Sequence, residues 1–117
     1  LTNTQNVNLP QEYTLDAIKT RLVREFLNVI ILIEMGKRDY ISGYDVIDLV
    51  TLKFSEPLSP GTVYSTLYAI ERKGLIYGES DGRKTVYKLT EKGQATMETI
   101  RNSKNVLTDI CQKIYAP

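Results

Sequence analysis

Between Ser59 and Gly93 the sequence SPGTVYSTLYAIERKGLIYGESDGRKTVYKLTEKG leaves the chain little freedom. Ser59 suits a helix N-cap and Pro60 the first helical position. The helix runs to about Lys73, where Gly74 closes it. Two alternating segments follow, LIYGES and RKTVYKL, set about Asp81-Gly82. That dipeptide favours a two-residue type I′ turn, so the pair reads as a hairpin. The register puts Glu79 opposite Lys84 as an opposite-charge pair. It also gives Ile76 one face with Tyr87 and Thr85, near Leu89. Thr90 then caps a last helix.

Upstream, residues 1–13 form a polar tail rich in Asn, Gln and Thr. Thr14 caps a first helix with Asp16 in its opening turn. Leu15, Ile18, Leu22, Phe26, Val29, Ile30 and Ile33 keep helical spacing until Gly36 ends it. Its back half, FLNVIILIEM, is apolar nearly all round and must be covered on more than one side, with a partner subunit a candidate for one of them. Lys37 to Ile41 reads as a linker. Ser42 and Asp45 make a capping-box pattern for a second helix, with Tyr44, Ile47, Val50 and Leu52 on its buried side and its end near Phe54. In the last helix Met97, Ile100, Leu107, Cys111 and Ile114 lie near one stripe, interrupted by Ser103 and Lys104.

The totals exclude several classes. A chain of 117 residues with 42% hydrophobic residues carries one real core. It has no histidine and one cysteine, so a zinc finger and Ser-His-Asp or Cys-His catalysis are ruled out. Acidic groups such as Asp45, Asp48 and Glu56 read as surface charge, and the chain is not expected to be an enzyme or to need a cofactor or metal. Lone Cys111 allows no intrachain disulfide and suits a reducing compartment. The longest apolar run, Val29 to Ile33, is too short to span a bilayer. No secretory leader is expected, and the expected location is the cytoplasm with no membrane partner.

The order of elements is helix, helix, helix, hairpin, long helix. The expected fold is mainly α with a small β-hairpin (α+β): a winged helix-turn-helix with N- and C-terminal dimerisation helices. Residues 14–93 make the winged-helix unit and 94–117 the C-terminal dimerisation helix. At 100° per residue, Val63, Leu67 and Ile70 share the core side of the third helix. Gly61, Ser65, Tyr68 and Arg72 fall opposite, flanked by Thr62 and Tyr64. Small residues let such a face sit deep in a major groove, and hydroxyls and arginine bond phosphates or base edges. Ser59 adds a hydroxyl at the helix N-terminus, where free N–H groups favour an anion. Arg83 and Lys84 at the hairpin tip suit a minor groove or its phosphates, and Tyr44 can aim its hydroxyl at a phosphate. Net charge is only +1. Residues 59–93 hold six basic and four acidic side chains, so binding must rest on hydroxyls and backbone as well as charge.

Three segments in order resemble the PadR family of transcriptional regulators: ISGYDVIDLV, LSPGTVYSTLYAIERKGLI and GRKTVYKLTEKG. The resemblance covers roughly Phe26 to Met97. It implies a recognition helix at 59–73 that enters the major groove of double-stranded DNA and a wing at 77–88 on flanking backbone or minor groove. It also implies small-molecule effectors for some members. Val63 replaces the family's usual leucine and Ser65 a frequent proline. The chain has no tryptophan, so a drug pocket built on stacked tryptophans is not carried over. The short last helix matches the subfamily without a large C-terminal domain.

Together these features predict a homodimeric DNA-binding regulator, acting as a repressor on a pseudo-palindromic operator. Leu22, Phe26, Ile30, Met97, Ile100, Leu107, Cys111 and Ile114 are its expected dimer interface. Two other readings stay open: a winged-helix protein-interaction module without DNA binding, and a sensor for a small-molecule effector that no residue names.

Overall fold

Thr14 accepts a hydrogen bond from the Ala17 N–H and starts α1 (Leu15–Glu25), after a short 3-10 turn at Gln11–Tyr13. The structure, a computed structural model, describes residues 7–117. Residues 1–6 of the expected polar tail lie outside the described residues. The sequence predicts one helix from Thr14 to Gly36. The structure instead breaks it at Phe26, whose φ of −96° and ψ of 10° separate α1 from α2 (Leu27–Met35). Asn28 explains the break. Its Oδ1 accepts from the Val29 N–H at 2.8 Å, a side-chain bond that competes with the helical ladder. The flanking bonds, Phe26 N–H to Leu22 and Ile30 N–H to Phe26, survive, so the join is a kink.

The expected linker ends in a short strand, β1 (Ile41–Ser42). Ser42 then caps α3 (Gly43–Phe54) through the capping box: Ser42 Oγ accepts from the Asp45 N–H, and Asp45 Oδ2 accepts from the Ser42 N–H. The inner face of α3 is Gly43, Val46 and Val50. Tyr44 and Leu52, expected inside, are 69% and 82% exposed, because both fall on the far side of the Val46–Val50 row. Ser55, with φ of 52°, ends the helix. Ser59 caps α4 (Pro60–Arg72), with Pro60 in its first turn. Its end is a Schellman motif: Gly74 has φ of 76°, the Gly74 N–H reaches the Glu71 carbonyl, and the Leu75 N–H reaches Ile70.

The hairpin pairs β2 (Ile76–Ser80) with β3 (Thr85–Leu89) in an antiparallel sheet of order β1-β3-β2. Its register differs from the expected one. Ser80 pairs with Thr85 and Glu79 with Val86, leaving Asp81–Lys84 as the loop. The Asp81 carboxylate causes this. Its Oδ1 accepts from the N–H groups of Arg83 and Lys84, at 3.0 and 3.1 Å, and the Asp81 N–H donates to the Lys84 carbonyl at 3.3 Å, so the turn centres on Gly82 and Arg83, one residue later than expected. Glu79 meets Lys88 instead of Lys84, at 3.4 Å.

Thr90 caps α5 (Glu91–Asn102), and α6 (Lys104–Tyr115) follows. The sequence predicts these as one helix. The chain breaks at Ser103, whose backbone has φ of −85° and ψ of −1° and whose N–H donates to the Ile100 carbonyl at 3.1 Å. The core gathers Leu27, Ile31, Leu32 and Met35 of α2 with Val46 and Val50, Val63, Leu67 and Ile70, Ile41, Ile76, Tyr87 and Met97. Helix α2 is therefore the central post, which is why it is apolar on nearly every side. Every residue of α6 is exposed. No helix among the described residues is long and apolar enough to cross a membrane.

Candidate nucleic-acid interface

Helix α4 buries Val63, Leu67 and Ile70 and exposes Gly61, Ser65, Tyr68 and Arg72, the division its spacing predicts. Thr62 and Tyr64 are half-buried on its flanks. Ser59 Oγ accepts from the Thr62 N–H at 3.2 Å and lies 2.9 Å from Thr62 Oγ1. Its first task is therefore to cap the helix.

A concavity of about 330 Å3 separates α4 from the hairpin. Tyr44, Tyr64, Tyr68, Arg83 and Lys84 line it together, so the fold joins residues from α3, α4 and the loop before β3. The rings of Tyr64 and Tyr68 lie 6.2 Å apart, tilted by 37°, a spacing at which aromatic pairs attract. Gly43 makes room for this pair, since a Cβ there would overlap the Tyr64 ring. The small residue before Tyr44 is thus required by the tyrosine that α4 presents. The Tyr87 ring closes the cleft from behind. Burial pushes its hydroxyl pKa up, and the neighbouring Tyr68 and Glu71 add to the rise.

Two features that sequence reasoning missed set the angle between helix and hairpin. Glu71 Oε2 accepts from the Gly78 N–H on the edge strand β2, at 3.0 Å. At the other end Thr90 Oγ1 donates to the Gly74 carbonyl at 2.6 Å, and Lys92 Nζ donates to the Lys73 carbonyl. The hairpin tip is ordered from within. The backbone N–H groups of Lys84 and then Arg83 hold the Asp81 carboxyl below its usual range, so the two basic residues follow from one hydrogen-bonded turn.

Ser65 does not share the cleft. With Thr66 it lines a second concavity, of about 370 Å3, whose far side is Arg24 and Asn28 at the α1–α2 kink. No pattern in the sequence links those residues to α4.

The expected dimer residues divide. Met97 is 1% exposed within its own chain and touches the backbone at Gly36, where a Cβ would come 2.6 Å from its Sδ. It is a core residue and cannot meet a partner. Ile30 and Ile100 are half-buried against the same core. Leu22, Phe26, Leu107 and Ile114 are exposed, as is Cys111.

Helices α2, α3 and α4 with a hairpin after α4, a helix face clear of the core and a cleft beside it define a winged helix-turn-helix protein. The model of the transcriptional regulator PadR-like family matches residues 31–99, and the protein belongs to that family. Among solved structures it is similar to a PadR family transcriptional regulator from Eggerthella lenta, with 21% identity over 86% of this chain and 90% of that one and a TM-score of 0.69. It is also similar to a PadR-like transcriptional regulator from Bacillus cereus, with 21% identity, 83% and 99% coverage and a TM-score of 0.66. A transcriptional regulator from Clostridium thermocellum shares 20% identity over 83% and 97% of the two chains, with a TM-score of 0.68. At these identities the likeness is one of fold. Curated proteins offer no match to the sequence.

Proposed function

We propose that this protein is a homodimeric transcriptional repressor that binds duplex DNA in a sequence-specific way. Helix α4 enters the major groove, with Tyr68 and Arg72 facing bases or phosphates. The wing, residues 77–88, lies on flanking backbone or in the minor groove through Arg83 and Lys84. The observation that carries this reading is the cleft where Tyr44, Tyr64 and Tyr68 meet Arg83 and Lys84. Hydroxyls and cations converging beside an exposed helix face suit a phosphate backbone. Membership in a family of transcriptional regulators supports it. Dimerisation is supported by apolar side chains left uncovered on α1 and α6, among them Leu15, Leu22, Leu107 and Ile114. A two-fold dimer reads a pseudo-palindromic operator.

The test is fluorescence anisotropy against pooled random duplexes at several salt concentrations, with bound sequences recovered. A two-fold-related motif, bound less tightly as salt rises, is expected. Replacing Tyr68 or Arg72 by Ala weakens binding to that motif by about 1–3 kcal/mol for each base the side chain no longer reads. Weak binding with no motif at any salt concentration refutes the reading.

A further inference from the structure

The second concavity, on the flank of α4 away from the wing, has no part in the cleft described above. Its polar lining includes Arg24, Glu25, Asn28, Ser65, Thr66 and Lys73, from α1, α2 and α4. Arg24 and Lys73 are exposed, and neither is in an ion pair among the described residues. Glu25 is the single acid there. We infer that this groove is a second binding surface for the DNA backbone, in which Arg24 and Lys73 hold phosphates of the strand that the wing does not reach.

The inference rests on the proposed DNA reading and adds its other half. A helix with its side chains is about 10–12 Å across, and the major groove is about 12 Å wide. A helix inserted there meets a phosphate wall on both flanks. On one flank of α4 stand Tyr44, Arg83 and Lys84. On the other stand Arg24 and Lys73, with the Asn28 amide and the Ser65 hydroxyl between them. Phosphate oxygens accept from such cations, amides and hydroxyls without regard to base sequence. The kink at Phe26 matters here, because it carries the end of α1, with Arg24, to the side of α4.

The experiment uses the full chain and the recovered operator duplex. Arg24→Gln and Lys73→Gln keep most of each side-chain stem, and are measured singly and together. Circular dichroism checks the fold, so loss of fold in one variant leaves the other to be read. Lys53→Gln, at the far end of α3, is the charge control. Each phosphate left unneutralised in each half-site makes the slope of log affinity against log salt shallower by about one. Binding also weakens by the same factor on specific and random duplexes. A slope unchanged in both variants, while Arg83→Gln with Lys84→Gln flattens it, overturns this inference and leaves the DNA reading standing. Absence of salt-dependent binding by the unaltered protein overturns both.

Discussion

Gly93→Ala tests the joint between α4 and α5. An added Cβ would occupy the space of the Leu75 carbonyl oxygen. That carbonyl cannot swing away freely. It accepts from the Thr90 N–H at 3.0 Å, and its residue's own N–H is held by Ile70 in the Schellman motif. Losing the Thr90 bond costs about 0.5–1.5 kcal/mol, and forcing packed backbone apart costs about 1–3 kcal/mol. Alanine's helix propensity returns at most about 1 kcal/mol. The net loss is about 0.5–3.5 kcal/mol, or roughly 2–14 °C in Tm for a chain near this size. Thermal unfolding by circular dichroism measures it. Gly61→Ala is the control, since the nearest atom to its added Cβ is Ser59 Oγ at 3.9 Å, and its Tm should hold or rise. A Gly93→Ala Tm equal to or above that of the parent would refute this reasoning.

Glu71→Ala frees the hairpin from α4 by removing the acceptor of the Gly78 N–H. DNA affinity should fall severalfold, although a negative charge has been removed, and Glu71→Gln should restore most of it; anisotropy decides, and equal affinities would contradict a positioning role. Met97→Ala should cost about 2–5 kcal/mol in chemical unfolding, as for a fully buried side chain, whereas Leu107→Ala should leave fold stability almost unchanged and weaken self-association in sedimentation. For Tyr87 the raised pKa means the folded state holds its phenolic proton longer than the unfolded chain does. The stability this contributes is complete below the ordinary tyrosine value of 10.0 and is lost as pH rises through the higher folded value. Tm measured across that alkaline range should therefore drop less steeply in Tyr87→Phe.

Local chemistry determined much of this protein in advance. Ser59, Pro60 and Gly74 mark the ends of α4, and Ser42 with Asp45 the start of α3, because caps act through bonds to residues within about four positions. The core side of α4 followed from the helical period alone, and with it the exposed row of Gly61, Ser65, Tyr68 and Arg72. The rest needed partners distant in the chain or side-chain choices that periodicity does not register. Ile41 and Ser42 become a strand only because Tyr87 and Val86 lie alongside. The hairpin register turned on the Asp81 carboxylate reaching two backbone N–H groups. The apolar spacing joined helices that the backbone breaks at Phe26, beside the bond of Asn28 to the Val29 N–H, and at Ser103. An apolar stripe likewise does not say what covers it: Met97 went to the core and Ile114 stayed outside. Arg24 and Ser65 share a groove because packing of α2 through the core brings the α1–α2 kink against α4, a juxtaposition that no spacing along the chain encodes.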